Sequence, residues 1–400
     1  MPTKPRADSY EVVRGVYFYA RMPLKKIALI ANTAWNLWNF RRSLIEALTA
    51  QGHEVICAAP EDGYENRLQD IHGVRFIPLR HLSRKSLSIT GNLHTFTELR
   101  QILRREQPDL AVFYTIKPNI YGAVAARQSG VPAIAAIEGL GYAAMASPVL
   151  RQFIFFLYRY ALKNAARVVF LNSDDRQIFL DRHVVAHAKT LIIRGTGIDT
   201  AYFSPGNKSG VAAPVFIFIG RLLSDKGVRE FVRAAQQVKR IAPQAQFRLL
   251  GSTDAGNPAS IGQEELKQWI NEKAIDYMGQ TDDVRPFIAG ADIIVLPSYR
   301  EGMPRVLLEG MAMGKAIITT HSAGCRETVE EGKNGFIVPT ENADALADAM
   351  LRYLALAPEQ QRAMGSHSRH KAEREFGNAV ILPQYLRLIN DVLQAFNKER

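Results

Sequence analysis

The chain has 400 residues, 47% of them hydrophobic and 22% charged, with a net charge of +11. That length exceeds one ordinary core and the composition excludes a disordered or fibrous chain, so two domains of about 200 residues each are expected. Residues 1–200 carry 26 Lys+Arg against 16 Asp+Glu, whereas residues 201–400 carry 24 against 23, and a basic first half suits an anionic partner: nucleic acid, a phospholipid surface or a phosphorylated substrate.

Residues 1–21 lack the apolar run and cleavage site of a secretory signal and read as a disordered extension. No segment offers the ~18 uninterrupted apolar residues of a membrane span; the nearest, Pro148 to Leu162, is interrupted by Arg151 and Arg159. The two cysteines, Cys57 and Cys325, lack metal-ligand spacing and form no disulfide framework, which fits a reducing compartment.

Short Val/Ile-rich runs then alternate with helical patterns. The first set is Lys26–Ala31, Glu54–Ala59, Val74–Leu79, Leu110–Thr115, Ala133–Ile137, Val168–Leu171 and Leu191–Ile193. After a Gly/Ser/Pro-rich linker from Thr196 to Pro214 the second set is Val215–Ile219, Phe247–Leu250, Ile275–Met278, Ile293–Leu296, Ala316–Thr319 and Gly335–Val338. Continuous apolar strands are buried on both faces, as in a parallel sheet covered by helices. The fold class is therefore α/β, with two such units and a cleft between them. Helices around Ala343–Leu354, Pro358–Glu375 and Ala379–Phe396 close the chain.

In the first half, Ala31-Asn-Thr-Ala-Trp-Asn-Leu-Trp-Asn-Phe-Arg41, Tyr114-Thr-Ile-Lys-Pro-Asn-Ile-Tyr-Gly122 and Ile137-Glu-Gly-Leu-Gly-Tyr142 each follow a strand. Ligand-binding clefts form at such strand ends. The candidates there are Asn32, Arg41, Lys117, Asn119, Glu138 and Gly139, with Lys117 a phosphate contact and Glu138 able to orient a hydroxyl or act as a base. Gly139 to Ala144 formally fits a dinucleotide fingerprint, but it follows the fifth strand rather than the first, and no acidic residue closes a second strand at the required distance. The helix from Pro148 to Asn164 is expected to put Leu150, Phe153, Ile154, Leu157 and Ala161 in the core. Its other side would offer Arg151, Phe155, Tyr158 and Arg159 to a lipid headgroup region. No nucleic-acid motif accompanies the positive charge.

The second half carries more chemistry. A strand ends at Gly220, and Arg221 and Lys226 flank the loop before a helix, a pattern suited to a diphosphate. Further on, Leu296-Pro-Ser-Tyr-Arg-Glu-Gly-Met-Pro-Arg-Val-Leu-Leu-Glu309 places Glu301 in the loop after a strand. Pro304 opens a helix and Glu309 lies about a turn inside it. Two carboxylates at a cleft can hold vicinal hydroxyls of a sugar and a ribose, and the amides of Gly302 and Met303 would face a phosphate or sugar oxygen.

The order Gly220-Arg221, Lys226-Gly227, Met278-Gly279, Asp292, Glu301-Gly302, Glu309, Gly314, Gly324, Glu327 and Asn334-Gly335 resembles glycosyltransferase family 4, a retaining GT-B group. The resemblance implies two Rossmann-like domains facing a central cleft, an acceptor domain over 22–200, a donor domain over 201–375 and a helix over 376–400 returning to the first domain. It assigns Arg221 and Lys226 to the donor diphosphate, Glu301 to the donor sugar, Glu309 to the ribose and the segment after Met278 to the base. It implies front-face transfer with no metal or cofactor, so Asp282-Asp283 reads as the start of a helix ending near Gly290; a double displacement stays open on sequence alone. The first-half motifs resemble the branch that adds N-acetylhexosamines from UDP-sugars to undecaprenyl-diphosphate-linked sugars. Glu138 stands where many members have a histidine, so no histidine role carries over. The expected setting is the inner face of the cytoplasmic membrane. The competing readings are a soluble or lipopolysaccharide-core acceptor, an epimerase or hydrolase on the same fold, and a sugar-nucleotide binder without catalysis.

Overall fold

A computed structural model describes residues 24–83, 89–140, 147–206, 213–254 and 256–399. The extension over 1–21, the distal part of the Gly139–Ala144 motif and the middle of the linker lie outside these residues.

The first unit is built from β1 (Lys26–Ile30), α1 (Ala34–Ala50), β2 (Glu54–Ala59), α2 (Glu65–Gln69), β3 (Val74–Pro78), α3 (Ile89–Glu106) and β4 (Leu110–Tyr114). A π-helical turn, Pro118–Gly122, leads into α4 (Ala123–Gln128) and β5 (Ala133–Ile137). It ends with α5 (Pro148–Leu162), β6 (Arg167–Phe170), α6 (Ser173–Asp181) and β7 (Thr190–Ile192). The strands form one parallel sheet in the order β3-β2-β1-β4-β5-β6-β7. The second unit comprises β8 (Val215–Ile219), α7 (Val228–Ile241), β9 (Gln246–Leu250), α8 (Gln263–Asn271), β10 (Asp276–Tyr277), α9 (Arg285–Ala289), β11 (Ile293–Leu296) and α10 (Arg305–Ala312). β12 (Ala316–Thr320), β13 (Gly335–Val338), α11 (Ala343–Leu354) and α12 (Pro358–Lys371) complete it, and its sheet runs β10-β9-β8-β11-β12-β13. Every strand expected from an apolar run is present, and the order reverses beside β1 in one sheet and beside β8 in the other. Such reversals open crevices at the strands' carboxyl ends.

The last helix, α13 (Asn378–Glu399), crosses back to the first unit. Its Ile381, Tyr385, Leu386, Ile389 and Val392 share a core with Leu29, Val112, Leu44 and Ile45 of the first sheet and α1. The chain crosses itself where Ile198 bridges Gly377, and Asn378 donates to the Ser43 hydroxyl at 3.0 Å.

The face that α5 buries differs from the one its sequence suggests. In α5 the core face is Phe155, Tyr158, Ala161 and Leu162, with Phe155 and Tyr158 edge-on to Phe179 of α6. Phe153, expected inside, is exposed, and Leu150, Ile154 and Leu157 are only half-buried. Nearly every position of this helix is apolar or aromatic, so its sequence carries little phase information. Phe179 and Phe170 supply the pocket that selects Phe155 and Tyr158.

Because α13 completes the first unit's core, Ile389→Ala should lower stability by about 2–5 kcal/mol, the usual cost of emptying such a site. Chemical denaturation measures it, and wild-type stability would show that α13 is not part of that core.

Candidate functional site

The site grows from the carboxyl ends of β8 and β11. After β8, Gly220 donates to the Leu250 carbonyl at 3.0 Å and hands the chain to a loop closed by a 3-10 turn, Ser224–Lys226. Gly227 then adopts φ +73 and starts α7. A Cβ at Gly227 would overlap the Pro297 carbonyl, so only glycine lets this turn lie on the loop after β11. The consequence is chemical: Lys226 Nζ reaches Glu301 Oε1 at 2.5 Å, in a pair with both side chains largely buried. The same loop is fixed from below, where Tyr299 donates through its backbone N–H to the Asp225 carbonyl at 2.9 Å and through its hydroxyl to Glu230 at 2.9 Å.

The other predicted donor residues lie around this pair. Arg221 is half exposed and pairs with Asp254 at 3.2 Å. Glu309 lies on α10, buried rather than open at the cleft mouth, and accepts from Arg305 Nε at 2.9 Å. Burial pushes its carboxyl above the usual range while Arg305 opposes the shift. Pro304 caps α10 rather than sitting within its first turn. Met278 is partly exposed after β10, where its N–H donates to the Leu249 carbonyl. Asp283 accepts from the Arg285 backbone and side chain and so starts α9. Burial, with Glu301 nearby, pushes the Cys325 thiol up to about 11.

On the facing unit, Arg41 of α1 is 1% exposed, ion-pairs with Glu138 and lies 4.1 Å over the Tyr114 ring. Gly139 follows with φ +131. Asn119 is buried and donates to the Ala136 carbonyl at 2.8 Å. Lys117 donates to the Ser83 carbonyl at 2.7 Å, and burial lowers its pKa. Asn32 occupies the half-buried bend between β1 and α1.

The two halves of the site meet at Gly302. A Cβ there would overlap the Glu138 carbonyl oxygen, and the Gly302 carbonyl accepts from Asn172 Nδ2 at 2.7 Å. The backbone of Glu301–Gly302 therefore lies directly against that of Glu138–Gly139. Ion pairs reinforce this side: Arg300 with Asp175, Arg326 with Asp174 at 2.6 Å and Arg194 with Glu327 at 3.5 Å. Across the opening, the Tyr64 hydroxyl donates to Asp282 at 3.0 Å and Arg67 reaches the same carboxylate at 3.4 Å.

Sequence reasoning missed Asn172, Asp174, Asp175, Arg300 and Arg326. The run Asn172-Ser-Asp-Asp is legible as a helix start, and Asn172 does cap α6. Its second role, towards a loop 130 positions later, leaves no local signal.

Comparison with known proteins bears on this arrangement. Residues 213–355 match the family described as glycosyl transferases group 1, and residues 37–195 match the glycosyl transferase 4-like domain. Over 386 residues the chain is 28% identical to the N,N'-diacetylbacillosaminyl-diphospho-undecaprenol alpha-1,3-N-acetylgalactosaminyltransferase of Campylobacter jejuni, covering 92% of this chain and 99% of that one. It is 24% identical to the UDP-Gal:alpha-D-GlcNAc-diphosphoundecaprenol alpha-1,3-galactosyltransferase of Escherichia coli over 67% of this chain and 72% of that one. In fold, it resembles the sucrose-phosphate synthase of Thermosynechococcus elongatus, with a TM-score of 0.79 and 22% identity over 93% of this chain and all of the other. An Anabaena protein solved with UDP and glucose aligns with a TM-score of 0.75 and 19% identity, over 92% of this chain and all of that one.

Gly302→Ala should drive the two units apart and abolish the contact with Glu138. Small-angle scattering would read the opening, and unchanged dimensions with unchanged ligand affinity would contradict the close approach.

Proposed function

The chain belongs to the glycosyltransferases of the group 1 and 4-like family, and on that premise we propose that it is a retaining enzyme moving an N-acetylhexosamine from a UDP-sugar to a saccharide linked to undecaprenyl diphosphate. The observation that carries this reading is the Lys226–Glu301 pair, set against the facing unit by Gly302. Relatives named for undecaprenyl-diphosphate acceptors support the acceptor class, one of them along nearly its whole length.

The chemistry follows from charge. As the anomeric carbon–oxygen bond breaks, negative charge grows on the departing diphosphate. Lys226, Arg221 and the amino terminus of α7 stabilise charge where it develops, the condition for lowering a barrier rather than merely binding substrate. Glu301 accepts hydroxyls of the donor sugar, and Glu309, which keeps 12% of its side chain exposed beside Arg305, accepts those of the ribose. The acceptor oxygen attacks from the face the diphosphate leaves, and its proton passes to a diphosphate oxygen. The protein's cations supply the countercharge, so no metal or cofactor is part of this scheme.

The acceptor's lipid gives the exposed face of α5 a role. Val149, Phe153, Phe156 and Tyr160 recur at spacings of four, three and four, and all are 55–82% exposed. Arg159 and Lys163 lie exposed beside them. An apolar stripe edged by cations suits the headgroup boundary of an anionic bilayer, and we assign the enzyme to the inner face of the cytoplasmic membrane. No helix among the described residues is long and apolar enough to cross a membrane.

A donor screen with inner-membrane lipid extract tests the function. UDP-N-acetylhexosamines should label the lipid phase, while UDP-glucose, UDP-galactose and GDP-mannose should not; labelling only of soluble sugars, or nucleotide release without transfer, would overturn the acceptor. Lys226→Ala should lower kcat by about 10²–10³-fold, the scale of one lost transition-state contact, and weaken donor binding. Glu301→Ala should lower turnover strongly while UDP binding persists, and normal kinetics in either variant would remove that residue from the site. A Phe153→Ser/Phe156→Ser variant should lose sedimentation with anionic vesicles while keeping transfer to a short-chain acceptor; undiminished sedimentation would remove α5 from the membrane contact.

A further inference from the structure

Glu138 occupies an unusual position. Its backbone carbonyl lies against Gly302, beside the loop that carries Glu301, while its side chain turns back into the first unit to accept from Arg41. Arg41 is itself enclosed: Tyr114 of β4 lies beneath the guanidinium, and Tyr385 of α13 sits beside it. The Tyr385 hydroxyl donates to the Gly195 carbonyl at 3.1 Å, in the segment leading from β7 towards the second unit. A buried cation with one carboxylate partner fixes that carboxylate's position closely, since moving either leaves a charge unpaired.

The strand end beside this pair is polar as well. The Tyr114 hydroxyl, the Thr115 hydroxyl and Asn119 Oδ1 are buried with no hydrogen-bond partner among the described residues. Thr115 also holds φ +68, a left-handed conformation that a β-branched residue adopts only under constraint. These groups lie at or just beyond the carboxyl end of β4, which pairs with β5, the strand that delivers Glu138. Buried polar atoms are normally paired; these three have no exposed surface, so they mark a polar, constrained strand end beside Glu138 and not the acceptor's own contacts.

We infer that Glu138 is the group on which the acceptor's attacking hydroxyl hydrogen-bonds, and that Arg41 is the residue that positions it. This rests on the glycosyltransferase reading above. With Oε1 held by Arg41, the 17% of the Glu138 side chain left exposed is what the acceptor reaches. Glu138 orients the oxygen and does not keep its proton. The new bond forms between that oxygen and the anomeric carbon, the bond to the diphosphate breaks with its electron pair leaving on the diphosphate, and the proton follows to a diphosphate oxygen. The assignment differs from a purely structural ion pair in predicting that Arg41 acts on turnover only through Glu138.

The test is a double-mutant cycle in the full chain, using Glu138→Ala, Arg41→Met and the two combined, with a UDP-N-acetylhexosamine and a diphosphate-lipid-linked sugar. Each single variant should raise acceptor KM or lower kcat by about ten- to hundredfold, the worth of a hydrogen bond to a charged group, with the Kd for UDP unchanged. Adding Arg41→Met to Glu138→Ala should cost no more than about twofold further, because the two act as one unit. Should Arg41→Met fail to fold, Arg41→Lys replaces it, and its retained charge should leave an intermediate loss that again vanishes in the Glu138→Ala background. Independent, multiplying losses would make Arg41 structural and overturn the positioning role. A Glu138→Ala variant with wild-type acceptor kinetics would overturn the inference outright while leaving transfer intact. A wild-type chain that transfers to no acceptor would instead defeat the reading on which the inference rests.

Discussion

The site depends on one steric constraint, the contact of two peptide segments from different sheets. The Glu138 carbonyl fills the space that a side chain at position 302 would need, so the loop after β11 rests directly on the end of β5. Nothing larger than glycine fits there. Asn172 fastens the same loop by its Gly302 carbonyl, and the ion pairs of Asp174 and Asp175 surround the contact. The arrangement fixes where the two units meet without filling the cleft beside them.

Each unit brings a charge pair to this contact. Lys226 and Glu301 belong to the second unit, Arg41 and Glu138 to the first. Each pair is sheltered from water, where charges interact more strongly and hold geometry better than at an exposed surface. The pairs have different supports. Lys226 owes its place to the left-handed Gly227 and the turn before it, whereas Arg41 is set by α1, Tyr114 and a helix from the far end of the chain. The carboxy-terminal crossover thus contributes to the site as well as to the first core.

Much of this was legible in the sequence. The strands stood out because parallel strands covered on both faces must be apolar throughout, so their runs interrupt the helical periodicity cleanly. Even β10, only two residues long, lay within its expected run because Ile275 and Tyr277 are needed against the core. The spacing from Arg221 through Glu309 pointed to a donor side because these residues follow β8 and β11, which are far apart in the chain but adjacent in the sheet. What stayed hidden was whatever depends on chain segments meeting from a distance: the partner of Glu138 lies 97 positions away, and that of Asn172 lies 130 away. The face of α5 was hidden for the opposite reason, since a helix apolar all round offers no phase to read. Glu309 was placed at the cleft mouth because the motif gives its position along α10 but not its burial or its engagement by Arg305.

The central claim is that charge on the departing diphosphate is stabilised on the same face from which the acceptor, held at the Glu138 side, attacks. The anomeric configuration of the newly formed glycoside tests this most directly, read by NMR on product from the first turnovers with an α-linked UDP-N-acetylhexosamine. The account predicts an α-linked product. A β-linked product would require attack from the opposite face and would contradict transfer on the face from which the diphosphate leaves.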